Sequence, residues 1–182
     1  MKSRATGLVY IFTGDGKGKT SAALGVAMRA VGQGKKAVMV QWYKERKWKI
    51  GEHNLPLMLK WAKEQKNKRT KEPTGSFEIY PMGQGFYKLP TDHATPSDHK
   101  MAAQKALKFA GSLLANHPLF IIHHPLFLLV LDEALNAVND KLIQLDQLIE
   151  LISHRGFTHI ILTGRNAPKK LIELADLVTE MK

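Results

Sequence analysis

The chain has 182 residues, of which 44% are hydrophobic and 24% are charged, as is typical of a soluble globular domain with a sizeable core. It has no cysteine, which excludes disulfide bonds, thiolate metal sites and cysteine nucleophiles. The net charge is +11, and the excess lies in residues 1–128, because residues 129–182 hold eight acidic and six basic side chains.

Apolar runs alternate with helical patterns along the chain, which is typical of parallel α/β proteins. The runs predict strands at 8–13, 37–42, 77–80, 127–131, 159–163 and 177–180. Helices are predicted over 19–31, near 55–65, from Asp98 as N-cap to about 115, from Asp140 as N-cap, and from Pro168 onward. Residues 117–123 and 124–130 form a tandem repeat, whose second copy supplies the fourth strand.

No apolar run is long enough for a membrane helix, which needs about 20 residues. The run at 8–12 is also too short for a signal peptide. We therefore expect a cytoplasmic protein with no membrane partner.

The most basic part of the chain is residues 41–72, which hold ten Lys or Arg against four Glu and all three tryptophans. Such a segment is typical of a surface that binds single-stranded nucleic acid. It would equally suit an anionic small molecule, or a solvated helix whose tryptophans pack on the core. Charge alone leaves these alternatives open.

Residues 13–21, Thr-Gly-Asp-Gly-Lys-Gly-Lys-Thr-Ser, stand between the first predicted strand and the first predicted helix. Glycines allow backbone N–H groups to converge on phosphate oxygens, and the helix N-terminus adds its positive end. Lys19 would add a point charge, and Thr20 would offer a hydroxyl to Mg²⁺. The sequence therefore predicts an ATP-binding P-loop, although Thr13 occupies the position of its first glycine.

Two further strand ends carry polar side chains. Asp132 and Glu133 follow a buried strand, where they would hold Mg²⁺ or orient a water or substrate, unless Asp132 only caps the next helix. Arg165 and Asn166 follow the next strand. Because strand carboxyl ends line the ligand crevice of open α/β sheets, both would point toward the nucleotide. Arg165 is otherwise an ordinary surface arginine.

Together these segments resemble those of the ATP:corrinoid (cob(I)alamin) adenosyltransferases. The matching stretches are 7–44, 82–86, 130–133 and 163–181. The run Thr-Gly-Arg-Asn-Ala-Pro at 163–168, followed by Ala-Asp-Leu-Val-Thr-Glu-Met, is far more specific than the P-loop. The family's loop also has threonine at the position of Thr13.

The resemblance implies one domain over 1–182 with a RecA-like P-loop NTPase fold, in which helices flank a mainly parallel sheet. This chain departs from the family in a longer, basic insertion near 60–73. It implies that Co(I) of a reduced corrinoid attacks the 5′ carbon of ATP and that triphosphate leaves. It also implies a homodimer and a reductase that supplies electrons. Alternatives are a P-loop ATPase acting on single-stranded nucleic acid, although nucleic acid is not the expected partner, and a non-catalytic ATP or corrinoid carrier.

The resemblance also implies site residues. The nucleotide would be bound by Gly14, Asp15, Gly16, Lys17, Gly18, Lys19, Thr20, Ser21, Arg165 and Asn166. Thr20, Asp132 and Glu133 would hold Mg²⁺, and the candidate catalytic residues are Lys19, Glu133 and Phe86. Phe86 would press on the lower face of the corrinoid and exclude its axial base. Members of the family usually carry Thr-Trp after the Gly-Phe pair, whereas Tyr87-Lys88 follow here.

Overall fold

The computed structural model describes residues 6–67, 75–115 and 126–182. Its strands are β1 (Val9–Thr13), β2 (Lys36–Gln41), β3 (Ser76–Pro81), β4 (Leu126–Asp132), β5 (His159–Thr163) and β6 (Leu177–Glu180). Its helices are α1 (Lys19–Gly32), α2 (Leu55–Asn67), α3 (Pro96–Ala115), α4 (Ala134–Asn139), α5 (Leu145–Ser153) and α6 (Lys169–Leu174). The predicted strands and helices are all present, whereas α4 was not predicted.

The six strands form one sheet in the order β3-β2-β4-β5-β1-β6, and every pairing is parallel. The predicted α/β fold, a parallel sheet flanked by helices, is confirmed. Because all strands run the same way, their carboxyl ends meet at one edge of the sheet. The polar residues that follow β1, β4 and β5 therefore lie at that edge.

The strand β4 lies at the centre of the core, and its side chains alternate between the two faces of the sheet. Leu129 and Leu131 pack on the face that α3 and α5 cover. Leu128 and Val130 pack on the face that α1 covers with small residues such as Ala23. Because alanine side chains are small, α1 packs closely against the sheet, and the loop after β1 leads directly into it. No helix in the described ranges has the length and apolar character needed to cross a bilayer.

The start of α3 corrects one predicted cap. Asp98 lies in the first turn of the helix, which begins at Pro96. The N–H of Asp98 donates to Thr95 Oγ1 (3.2 Å), and the N–H of Thr95 donates back to Asp98 Oδ2 (3.0 Å). Thr95 is thus the capping residue and Asp98 its reciprocal partner. The prediction was wrong by three positions.

The prediction that Asp140 caps the following helix was wrong. Asp140 follows the last residue of α4, and its carboxylate accepts a hydrogen bond from the Tyr43 hydroxyl (2.6 Å). The helix α5 is capped instead by Gln144, whose N–H donates to Gln147 Oε1 (2.9 Å). A long-range partner for Asp140 is invisible to local sequence patterns.

Two sequence features fall partly outside the described residues. The basic insertion near 60–73 overlaps the stretch 68–74, which lies outside them. The first copy of the tandem repeat, 117–123, also lies outside. The second copy contains the start of β4, as predicted.

Candidate active site

The loop between β1 and α1 curves around the side chain of Lys19. Gly14 (φ 97°) and Gly18 (φ 105°) have left-handed backbone conformations that glycine adopts without strain. Lys19 is buried, and its Nζ donates to the carbonyl oxygens of Gly14 (2.7 Å) and Gly16 (2.5 Å). The predicted loop therefore places a cation inside the curve where the helix α1 begins.

Asp132 is fully buried at the end of β4 and is surrounded by hydrogen-bond donors. Its Oδ1 accepts from the hydroxyls of Thr20 (2.9 Å) and Thr163 (2.8 Å), and its Oδ2 accepts from Gln41 Nε2 (3.1 Å). Burial raises the pKa of Asp132, while these hydrogen bonds and the charge of Lys44 favour its ionised form. The structure thus joins the P-loop hydroxyl to the predicted carboxylate.

Glu133 has a left-handed backbone (φ 62°), and its N–H donates to Thr163 Oγ1 (2.8 Å). The Asn136 side chain donates to its carboxylate. Burial, followed by the negative charge of Asp132, raises the pKa of Glu133, and the charge of Lys19 opposes that rise. The carboxylate of Glu133 therefore lies within the electrostatic reach of Lys19, Lys44 and Arg165. An anionic ligand bound there would be close to these cations and to one carboxylate.

Arg165 and Asn166 follow β5, and Arg165 lies beside the P-loop. The Arg165 Nη1 atom is 3.4 Å from Asp15 Oδ1, and both side chains are exposed. The N–H of Arg165 donates to Asn136 Oδ1 (2.7 Å), and its carbonyl accepts from Asn139 Nδ2 (2.8 Å). The helix α4 thus holds the turn after β5 against the end of β4, with the guanidinium directed at the loop.

Two residues of this network were not predicted. Gln41 is fully buried at the end of β2, where it is the register partner of Asp132. Thr163, at the end of β5, bridges Asp132 and the backbone of Glu133. Gln41 and Thr163 are each a polar residue at the end of an apolar strand, and this was the signal that the sequence offered. Their hydrogen-bond partners could not be predicted, because they depend on the order of the strands in the sheet.

Phe86 belongs to an aromatic group near the same edge. Its ring is 42% exposed and lies 5.2 Å from the Trp48 ring, centroid to centroid, at an angle of 46°. The Lys44 Nζ atom lies 5.3 Å from the centroid of Phe86 and 5.8 Å from that of Trp48. Tyr87 packs against α3 instead, where its ring centroid lies 4.8 Å from that of His99. The charge of Lys44 also favours the ionised form of Asp132, so the aromatic group carries a cation that acts on the end of β4.

The family model for the ATP:corrinoid adenosyltransferases BtuR/CobO/CobP matches residues 5–182. The chain belongs to this family. The corrinoid adenosyltransferase of Escherichia coli K12 is 32% identical over 177 residues, which cover 97% of this chain and 76% of that protein. CobA of Salmonella typhimurium LT2 is 34% identical with the same coverage. The Pseudomonas aeruginosa PAO1 enzyme is 33% identical, over 96% and 74%. The predicted resemblance is confirmed.

Proposed function

We propose that the protein transfers the 5′-deoxyadenosyl group of ATP to Co(I) of a reduced corrinoid and releases triphosphate. The observation that carries this proposal is the direct contact between Thr20 of the P-loop and Asp132, in a chain that matches the adenosyltransferase family over nearly its full length. The named relatives are corrinoid adenosyltransferases.

The loop would grip the leaving group. The electron pair of Co(I) forms a bond to C5′, while the C5′–O bond breaks and its electrons leave with the triphosphate. Charge therefore builds up on the oxygen that departs. Lys19 inside the loop, Lys17 on its exposed side and Arg165 at its flank would stabilise that charge by electrostatic attraction. Lys19 would exchange its present carbonyl partners for phosphate oxygens.

The donor set fits Mg²⁺, which prefers oxygen ligands and keeps several waters when it binds with a nucleotide. Thr20, Asp132 and Glu133 supply a hydroxyl and two carboxylates at the end of β4. Within the described ranges, no cluster of three or more His, Cys, Asp or Glu side chains could hold a metal alone. We propose that Mg²⁺ would bind at Thr20, Asp132 and Glu133 together with ATP and would neutralise part of the phosphate charge.

The aromatic group would meet the corrinoid. Phe86 is exposed and lies close to the positive charge of Lys44. An apolar ring beside a cation suits the corrinoid, whose flat macrocycle is largely apolar and carries polar substituents. We propose that Phe86 presses on the lower face of the corrinoid and excludes the axial base. A cytoplasmic location, a homodimer and a reductase that delivers electrons complete this proposal, and the family resemblance supports them.

The product of ATP tests the proposal. Incubation of the protein with ATP, Mg²⁺ and a chemically reduced corrinoid is expected to give a light-sensitive cobalt–carbon bond and one triphosphate per bond formed. Release of ADP and phosphate that is stimulated by single-stranded DNA would instead support a nucleic-acid-dependent ATPase. ATP binding without turnover under any reducing condition would indicate a carrier.

A further inference from the structure

Trp48 lies in a different environment from the other two tryptophans of the basic segment. Trp42 is buried (4% exposed), and Trp61 is 66% exposed on α2. Trp48 is half-buried and packs against the exposed ring of Phe86. Trp48 is thus partly exposed to solvent beside Phe86, the residue that the proposed function assigns to the corrinoid.

A chain of hydrogen-bonding groups ties the loop of Trp48 to the nucleotide site. The Trp48 carbonyl oxygen is 3.1 Å from His53 Nδ1, and His53 Nε2 is 2.9 Å from Gln41 Oε1. The amide of Gln41 then donates to Asp132, which also accepts from Thr20. The backbone of Trp48 is therefore held by the same network that contacts Thr20 and Asp132.

Glu45 fixes the same loop from the other side. Its carbonyl accepts from the Trp48 N–H (3.1 Å), and its buried carboxylate lies 2.8 Å from Lys47 Nζ and 3.4 Å from His93 Nε2. That carboxylate lies directly under the turn before Phe86, since a Cβ at Gly85 would be 2.9 Å from Glu45 Oε1. The loops that carry Trp48 and Phe86 are therefore packed against each other, and the spacing of their rings is set by the fold.

The residues that follow Phe86 do not supply a second aromatic face. Tyr87 packs against His99, and the Lys88 ammonium lies 4.6 Å from the centre of the tyrosine ring. A second aromatic ring beside Phe86 therefore comes from the loop after β2. Lys44 lies over both Phe86 and Trp48, so the pair has a cation on one side and solvent on another.

We propose that Trp48 is a substrate-contacting residue, which forms with Phe86 the aromatic surface against which the corrinoid ring lies. This inference rests on the proposed function. Aromatic side chains bind flat ring systems by dispersion and by burial of apolar area, and a pair of rings covers more of a macrocycle than one ring does. His53 and Glu45 act as positioning residues, because they hold the loop and not the ligand.

Trp48→Ala and Trp48→Phe test the inference, with Trp61→Ala as the matched control in the same basic segment. Trp48→Ala is expected to raise the KM for reduced cobinamide, a corrinoid without the lower base, by about tenfold or more, the cost of removing one aromatic stacking partner. Trp48→Phe keeps an aromatic ring and should recover most of that loss. ATP affinity, measured by titration calorimetry, should change by less than about twofold in all three variants, as expected for a residue outside the nucleotide site.

The outcomes separate the two proposals. A wild-type protein that forms no cobalt–carbon bond overturns the proposed function and this inference together. An active wild type whose KM is unchanged by Trp48→Ala overturns the inference alone. A Trp48→Ala protein that melts at a lower temperature and loses ATP affinity as well as corrinoid turnover would also overturn the inference. That pattern indicates a tryptophan with a purely structural role.

Discussion

The hydroxyl of Thr163 is expected to hold the acidic end of β4 in place. It donates to Asp132 Oδ1 (2.8 Å) and accepts from the N–H of Glu133 (2.8 Å), and Thr163 is fully buried. Thr163→Val keeps the shape but removes both bonds. Losing a bond to a carboxylate costs about 1.5–3 kcal/mol, and an unpaired buried N–H costs about 1–3 kcal/mol. Because the Glu133 side is only partly buried, we expect a total near 3 kcal/mol.

For a protein of this size, about 3 kcal/mol corresponds to a fall in Tm of about 6–12 °C. Thr163→Ser is the matched control, since it keeps the hydroxyl and loses one methyl group, worth about 0.8 kcal/mol. Thermal denaturation followed by circular dichroism, without nucleotide, compares the three proteins. The adenosyl-transfer rate should also fall in Thr163→Val, because Glu133 loses its backbone anchor. Equal melting temperatures for the valine and serine variants would refute this reasoning.

Three further changes test other parts of the site. Lys19→Met should lower ATP affinity by about a hundredfold, measured by calorimetry, because a buried cation leaves the loop; an unchanged affinity would contradict the role of Lys19. Phe86→Ala should raise the corrinoid KM and leave ATP affinity intact in the same assays, and parallel losses would argue against separate subsites. The hydrogen bond from His99 lowers the pKa of Asp92 to about 2. The ionised Asp92 carboxylate therefore stabilises the folded protein fully above the ordinary aspartate pKa near 4, and this stabilisation disappears as the pH falls toward 2. Urea unfolding should show the stability difference between wild type and Asp92→Asn shrinking over that range, and a constant difference would contradict it.

The sequence predicted those elements whose signals are local. The apolar runs of β1 and β4 and the glycine loop before α1 were placed within one or two residues, since each is recognisable in a short window. The helix α4 was missed because its six residues are too few to show helical periodicity. Asp140 misled because its position suggested a cap, while its partner Tyr43 lies 97 positions away in the chain.

The candidate site also contains features that could be predicted from the sequence and features that could not. The meeting of Thr20 and Asp132 across 112 positions was predictable, because carboxyl ends of parallel strands share one edge. The roles of Gln41 and Trp48 were not. Gln41 reaches Asp132 only because β2 neighbours β4, and Trp48 reaches Phe86 through the path of a loop. Composition gave only alternatives for the basic segment that contains both residues.

The last strand has a bearing on how variants of the phosphate loop are interpreted. The N–H of Gly16 donates to the carbonyl of Met181 (2.8 Å), and the N–H of Met181 donates to Thr13 (2.8 Å). A methyl group at Gly14 would come within 2.3 Å of the Met181 oxygen. The loop is thus bonded to the residue that follows β6, and the N–H of Gly16 already has a backbone partner. An inactive Gly14→Ala protein would therefore report a displaced edge strand, and would not by itself identify a contact with phosphate.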